Sequence, residues 1–322
     1  MNITLTYTFL PETLDEIRRI VPDVVLHCSK NLDEVPADVL AKTEVLYLTG
    51  RAPAPAAAPA LRWVHCHSAG VDHYLTAPLF ADGRVVLTTS AGVHAINMSE
   101  YALMMLLALA HRMPRFYQMM QAKTWSNERD AFTAMELYGA TVGLVGYGAL
   151  GKQIARLCHA LGMKVLVLRR SAASASPEPD EAPVTFVGRE DLHELMRESD
   201  FLVLATPITP ETHHMIDADA LAQMKPTAFL VNIGRGAVVD EAAMIEALRE
   251  RRIAGAGLDV FEQEPLPDDS ALWNLDNVIL SPHTSGLTPK YAQRAGDIFV
   301  GNLRRFIAGE PLVNQVDFQR GY

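Results

Sequence analysis

Cysteine is scarce. Cys28, Cys66 and Cys158 are the whole complement of 322 residues, odd in number and far apart. That excludes a disulfide framework, points to a reducing compartment and leaves no cysteine in a metal-ligand spacing. No metal is expected. Positive charge is in deficit: 28 Lys and Arg stand against 38 Asp and Glu, a formal net charge of −10. No basic field exists to hold nucleic acid or an anionic membrane, so an anionic ligand must be caught by a local cluster. Long apolar runs are also missing. The longest, Ala102 to Ala110, is too short to span a bilayer. The first residues, Met1-Asn2-Ile3-Thr4-Leu5-Thr6-Tyr7, carry no basic segment and alternate as a strand would. The expectation is no signal peptide and a cytoplasmic location.

What the chain does have is ordinary globular composition, 49% hydrophobic and 20% charged. Its length exceeds what one hydrophobic core usually spans, so two domains are expected. Strands are expected at Asn2–Phe9, Val24–Cys28, Val45–Leu48, Arg62–His67 and Val85–Thr88, with a helix over Glu12–Ile20. Such alternation points to a parallel sheet. The proline-spaced tract from Ala52 to Ala60 reads as an extended loop leading into a helix start. Asn97-Met98-Ser99-Glu100 has the form of a capping box before an apolar helix to about Met113, continued after Pro114 to about Lys123. Its Met104, Met105, Met119 and Met120 read as core or interface filler.

From Ala140 the alternation restarts. Strands are expected at Thr141–Val145, Lys164–Leu168, Phe201–Ala205, Ala228–Asn232, Gly255–Leu258 and Val278–Leu280, and helices include Leu150–Leu161, Arg189–Glu198, Ala218–Met224 and Glu241–Glu250. Six strands with helices between the early ones meet the needs of a doubly wound dinucleotide-binding domain. Ser171–Pro183 reads as a flexible excursion, and the helix over Pro289–Ala308 returns the chain to the first domain. The expected fold class is α/β with doubly wound parallel sheets. The expected domains are residues 1–97 plus 289–322, and residues 98–288.

Within Gly143-Leu144-Val145-Gly146-Tyr147-Gly148-Ala149-Leu150-Gly151, the last six residues fit G-x-G-x-x-G after a strand and at the opening of an amphipathic helix. The first glycine permits the turn, the second lets the backbone approach a pyrophosphate, and the third lets helix pack on strand. The acid expected about 20 residues on, for a ribose 2′-hydroxyl, is missing. That strand ends Leu168-Arg169-Arg170-Ser171. Two guanidinium groups there would attract a 2′-phosphate, so NADP(H) is expected to be preferred, with NAD(H) possible.

Three later segments carry the rest of the chemistry: Asn232-Ile233-Gly234-Arg235-Gly236, Leu258–Pro265 and Ser281-Pro282-His283-Thr284-Ser285-Gly286. They supply an arginine, carboxylates and a histidine, each beside a turn-forming residue. An arginine can hold a carboxylate substrate through two parallel hydrogen bonds. A histidine backed by a carboxylate is a proton donor tunable near neutral pH, and the carboxylate favours its charged form. Four histidines, His65, His67, His73 and His94, lie in or after the presumed substrate loops and could shape substrate choice. His213-His214 lacks further metal ligands nearby.

With these segments in hand, the chain resembles the D-isomer-specific 2-hydroxyacid dehydrogenases along nearly its whole length. Ser68-Ala69-Gly70-Val71-Asp72, Ser99-Glu100-Tyr101-Ala102-Leu103, the glycine fingerprint, Thr206-Pro207-Ile208-Thr209-Pro210-Glu211-Thr212 and the three later segments carry the resemblance. It implies two Rossmann-like domains with the active site in the cleft between them, and a homodimer formed through the cofactor domain and its long first helix. It implies reduction of a small 2-oxo acid, such as glyoxylate or hydroxypyruvate, to a D-2-hydroxy acid. By the same resemblance Arg235 holds substrate, His283 is the acid–base residue and Glu264 its partner, while Glu262 is expected to be solvated. Ser68, Ala69 and Gly70 match the substrate-carboxylate loop. The cofactor is expected to touch Gly146, Tyr147, Gly148, Ala149, Leu150, Gly151, Arg169, Arg170, Ser171, Thr206, Pro207, Thr212, Ile233, Gly234, Arg235, Asp259, His283, Ser285 and Gly286, with Asp259 at the nicotinamide carboxamide. Many relatives carry a histidine in the loop directly after Ala205, where this chain reads Thr206-Pro207.

A D-3-phosphoglycerate dehydrogenase is a second enzyme reading, but Arg51 is the only basic residue in the loop Leu48–Arg51 that would meet a phosphate. A corepressor-like cofactor sensor is a non-enzymatic reading, and the chain lacks a long disordered extension for partner motifs.

Overall fold

The computed structural model describes residues 1–169 and 181–321. The chain divides into two compact units, Met1–His94 with Thr288–Tyr322, and Ala95–Leu287.

The first unit holds strands β1 (Asn2–Leu5), β2 (Val25–Cys28), β3 (Val45–Leu48), β4 (Trp63–Cys66) and β5 (Val86–Thr89), and helices α1 (Pro11–Ile20) and α2 (Ala37–Lys42). All strand pairs are parallel, in the order β2-β1-β3-β4-β5. The order reverses between β1 and β3, and in such sheets ligands gather at the carboxyl ends of the strands beside that reversal. One face carries Ile3, Leu5, Tyr47, Trp63 and Phe299, and the other carries Leu46, Leu48, Val64, Cys66 and Leu87. Alternation along β4 produces the split, since successive side chains leave a strand on opposite faces. The Ala52–Ala60 tract is loop with a single 3₁₀ turn at Pro55–Ala57.

In the second unit, α3 (Ala95–Ala110) and α4 (Met113–Ala122) lead into β6 (Thr141–Val145), α5 (Ala149–Ala160), β7 (Lys164–Leu168), β8 (Thr185–Val187), α6 (Leu192–Glu198) and β9 (Phe201–Leu204). Then come α7 (Ala218–Leu221), β10 (Phe229–Asn232), α8 (Glu241–Arg249), β11 (Gly255–Leu258) and β12 (Val278–Leu280). The last helix, α9 (Tyr291–Ala308), belongs to the first unit. The seven strands lie parallel as β12-β11-β10-β9-β6-β7-β8. The order turns back between β6 and β9, the doubly wound dinucleotide pattern with one added strand. Strand β8 has no counterpart in the sequence reading; its three residues follow the Ser/Ala/Pro-rich tract and, among the described residues, pair only with β7.

Helix α3 begins at Ala95, two residues before Asn97, so Asn97 is not its cap. Its amide donates to the carbonyls of Ser285 and Leu287. The apolar stretch breaks at Arg112, whose φ of 58° ends one helix before the next. Helix α3 buries Ala102, Met105, Leu106 and Leu109 against the sheet and α5, while Met104 and Leu107 stay exposed. Among the described residues, no helix is long and apolar enough to cross a membrane.

Candidate active site

The fingerprint glycines do three different jobs. Gly146 adopts φ +102°, and a Cβ there would lie 2.6 Å from the Ala205 carbonyl oxygen. At Gly151 a Cβ would lie 2.1 Å from the Gly146 carbonyl oxygen. Both positions are closed by the protein's own backbone. At Gly148 a Cβ would meet nothing within 4 Å. That glycine therefore keeps an outward face bare where α5 begins, as close approach by a pyrophosphate to helix N–H groups requires. The adjacent loops are pinned to the turn. A Cβ at Gly234 would be 2.8 Å from the Thr206 carbonyl oxygen. Thr212 closes its own loop, its hydroxyl donating to the Pro207 carbonyl and its oxygen accepting from Thr209 N–H, both at 2.8 Å.

At the end of β7, Arg169 is exposed and its guanidinium lies 4.9 Å from the Phe186 ring centroid. Arg170 and Ser171 lie outside the described residues. One neighbour was not legible in the sequence. The Tyr147 hydroxyl donates to Glu181 at 3.2 Å, and the same carboxylate pairs with Lys152. Burial foremost, and then Glu181, push the Tyr147 phenol up to about 12. Glu181 closes a poorly patterned tract with no spacing signal to tie it to the fingerprint.

His283 sits in the turn after β12 with φ 52°, its N–H donating to the Asp259 carbonyl at 2.9 Å. Its Nδ1 lies 2.7 Å from Glu264 Oε2. The other oxygen of Glu264 accepts from Phe261 N–H at 3.1 Å. Both side chains are partly open, 52% and 36% exposed, so the pair can exchange protons with solvent or ligand. Glu262 is not simply solvated. It accepts from Glu241 N–H at the start of α8 and lies 2.7 Å from His214 Nε2.

Asp259 is fully buried. Its carboxylate accepts from the Ser281 hydroxyl at 2.7 Å, from Thr284 N–H at 2.9 Å and from Ser285 N–H at 3.0 Å. Three donors satisfy a charge that would otherwise be costly to bury. Ser285 is buried beside it, and among the described residues its Oγ has no hydrogen-bond partner, the kind of unsatisfied group a bound ligand completes.

Arg235 extends from the loop after β10. Asn232 shapes that loop, donating to the Arg235 carbonyl and accepting from Gly234 N–H. A Cβ on Gly236 would fall 1.9 Å from the Phe261 carbonyl carbon, so the arginine loop is pressed onto the loop carrying Glu264. An apolar cavity of about 560 Å³ opens beside the pair, with Phe261, Leu266, Trp273 and Leu280 among its walls.

In the first unit, Ser68 donates to the Gly70 carbonyl at 2.6 Å, folding the loop after β4 so that Ala69 is exposed. Among the described residues, no group of three His, Cys, Asp or Glu is placed to hold a metal ion.

Residues 103–285 match the model of the family described as D-isomer specific 2-hydroxyacid dehydrogenase, NAD binding domain. A glyoxylate reductase of Thermococcus onnurineus is 39% identical over 261 residues, covering 79% of this chain and 75% of that protein. Two solved structures superpose with a TM-score of 0.82 and cover 100% of this chain and 99% of theirs. One is a D-isomer specific 2-hydroxyacid dehydrogenase from Xanthobacter autotrophicus in complex with NADPH and MES, 29% identical. The other is an NADPH-dependent glyoxylate/hydroxypyruvate reductase from Sinorhizobium meliloti in complex with NADP and sulfate, 28% identical.

Proposed function

Because the chain belongs to the D-isomer-specific 2-hydroxyacid dehydrogenase family, we propose that it reduces a small 2-oxo acid of the glyoxylate or hydroxypyruvate kind to the D-2-hydroxy acid, reversibly, with NADPH preferred over NADH. The observation that carries this reading is the 2.7 Å contact between His283 Nδ1 and Glu264. It fixes the imidazole by one nitrogen and leaves Nε2 to face a substrate oxygen.

The cofactor would lie along Gly146–Gly151, the Thr206–Pro207 and Ile233–Gly234 loops, and the Asp259–Ser285 turn. The bare face of Gly148 and the unsatisfied Ser285 hydroxyl fit that placement. Bound nicotinamide supplies the hydride, which no side chain can. His283, protonated, donates its Nε2 proton to the oxygen of the 2-oxo group as C2 gains the hydride, and is left neutral. In the reverse direction neutral His283 takes the hydroxyl proton. Arg235 binds the substrate anion and stabilises charge growing on the oxygen. The N–H groups of Ala69 and Gly70 take the carboxylate. Arg169, with Arg170 and Ser171, would receive the 2′-phosphate.

The exposed Met104, Leu107, Tyr117 and Met120 of α3 and α4 support a homodimer through these helices. NADPH and NADH oxidation against a panel of 2-oxo acids tests the activity. Turnover of glyoxylate or hydroxypyruvate supports it, and absence of turnover with every acid overturns it.

A further inference from the structure

The substrate loop of the first unit is preceded by a half-buried histidine that none of the chemistry above uses. His67 follows β4 directly and is followed by Ser68. It hangs at the carboxyl end of the sheet, close to the reversal of strand order between β1 and β3. Aromatic rings enclose it. Tyr7, just after β1, is 4.5 Å away between ring centroids, and Tyr291, opening α9, is also 4.5 Å away. The Tyr291 hydroxyl donates to the His67 carbonyl. His67 Nδ1 lies 2.9 Å from the hydroxyl of Tyr47, a fully buried residue.

That last contact bears on the tautomer. A buried phenol that donates to an acceptor keeps a hydrogen bond that offsets its desolvation cost. With the Tyr47 O–H donated to His67 Nδ1, the proton of the neutral imidazole resides on Nε2. Burial foremost, and then the neighbouring His94, push His67 down to about 4, so the ring is neutral at physiological pH. Among the described residues Nε2 has no hydrogen-bond partner, and it is not among the sealed unsatisfied atoms. The result is a fixed, uncharged N–H donor in an aromatic collar, one residue before the loop assigned to the substrate carboxylate. Such a donor can hydrogen-bond a neutral hydroxyl carried next to the substrate carboxylate.

We propose that His67 is a specificity-determining residue whose Nε2–H reads a hydroxyl on C3 of the 2-oxo acid, favouring hydroxypyruvate-like substrates over pyruvate, which has the same carbon count and no hydroxyl. The inference rests on the 2-oxo acid reductase reading above. Glyoxylate, which has no C3, separates the two claims.

The test is kcat/KM of the full chain with glyoxylate, pyruvate and hydroxypyruvate, for wild type, His67→Phe, His67→Gln and Tyr47→Phe. Wild type should favour hydroxypyruvate over pyruvate. His67→Phe should lower kcat/KM for hydroxypyruvate about 10-fold, the loss of one hydrogen bond, with glyoxylate changed less than about 3-fold. His67→Gln, whose amide can donate, should recover part of the loss. Tyr47→Phe frees the tautomer and should lower only the hydroxypyruvate value. If glyoxylate and hydroxypyruvate fall together in His67→Phe and are not separated by Gln, His67 only holds the loop and the proposal is overturned. Equal hydroxypyruvate values in all four proteins overturn it too. If wild type reduces glyoxylate but not hydroxypyruvate, the specificity claim fails while the reductase reading stands. If wild type reduces none of the three acids, the reductase reading fails and takes this one with it.

Discussion

Asp259 is tied to the His283 turn at four points: its carbonyl accepts the His283 N–H, and its buried carboxylate accepts from Ser281, Thr284 and Ser285. His283, the proposed acid–base residue, is thus carried on a turn whose backbone amides are held by one charge at the end of β11. Its left-handed φ of 52° needs that support, because a non-glycine residue rarely holds it alone.

Replacing that charge should therefore damage both stability and turnover. Asp259→Ala leaves the Thr284 and Ser285 N–H groups without their acceptor in a buried place and the Ser281 hydroxyl with only its 3.4 Å contact to the Leu258 carbonyl. The expected cost is about 2–4 kcal/mol of stability and at least about 10-fold in kcat. Asp259→Asn, which keeps one acceptor oxygen, should fall between. Denaturant unfolding and steady-state kinetics on the same preparations check this. Wild-type kcat in Asp259→Ala would show that the turn does not need it.

His283→Ala should lower kcat by about 10² to 10⁴, the usual worth of a positioned acid–base group, while NADPH binding followed by fluorescence persists. Glu264→Gln preserves a hydrogen-bonding atom beside Nδ1 but removes the charge, so its loss should be smaller. A Glu264→Gln loss as large as that of His283→Ala would assign the carboxylate a role beyond orienting the ring.

The two outer glycines of the fingerprint and the middle one should fail in different ways. Gly151→Ala forces a Cβ to 2.1 Å from the Gly146 carbonyl oxygen, so it should unfold at lower denaturant. Gly148→Ala meets no protein atom within 4 Å and should keep near-wild-type stability. Its methyl instead takes the space proposed for the pyrophosphate, so the KM for NADPH should rise by about 10-fold or more. Thermal melts without cofactor, paired with NADPH titrations, separate the two. Equal melting losses in both variants would contradict the geometry.

Much of this was legible beforehand because it is local. The glycine fingerprint, and the strands Thr141–Val145, Lys164–Leu168 and Gly255–Leu258, are set by short-range pattern, and their bounds match. The pairing of Glu264 with His283 was available only through resemblance, since nothing in a spacing of 19 residues fixes a contact. Asn97 was misread because a capping pattern is a weak signal beside the pull of the Ala95 helix start and of two carbonyls near Leu287. Glu181 and β8 were missed because they follow a tract with no periodicity, and their partners, Tyr147, Lys152 and β7, are distant in sequence.

Cofactor choice should respond to Arg169. Arg169→Asp puts a carboxylate where the 2′-phosphate is proposed to sit, so kcat/KM should fall with NADPH and hold or rise with NADH. A preference moving toward NADH by about 10-fold or more is the expected outcome. Equal effects on both cofactors would place the phosphate elsewhere, and a higher kcat/KM for NADH in the wild type would refute NADP preference at once.

Acid should unfold the first unit through its buried histidines. His65 is faced by Trp63, Tyr47 and Phe299, by the Thr88 and Ser90 hydroxyls, and by His67. Burial foremost, and then His67, push it down to about 3, against 6.5 for a free histidine. The folded state thus holds it neutral while the unfolded chain takes up a proton. The sign follows: its contribution is intact above about pH 7 and is lost as pH falls from 6.5 toward 3, by up to about 1.4 kcal/mol per pH unit. His67, also held neutral and faced by Tyr7, Tyr47, Tyr291 and His94, adds in the same direction, discounted for its partial exposure. His65→Gln should therefore lose less stability than wild type between pH 7.5 and 5, even if it starts lower. Parallel losses in the two proteins across that range would mean that His65 is protonated in the folded state or contributes nothing to the acid limb.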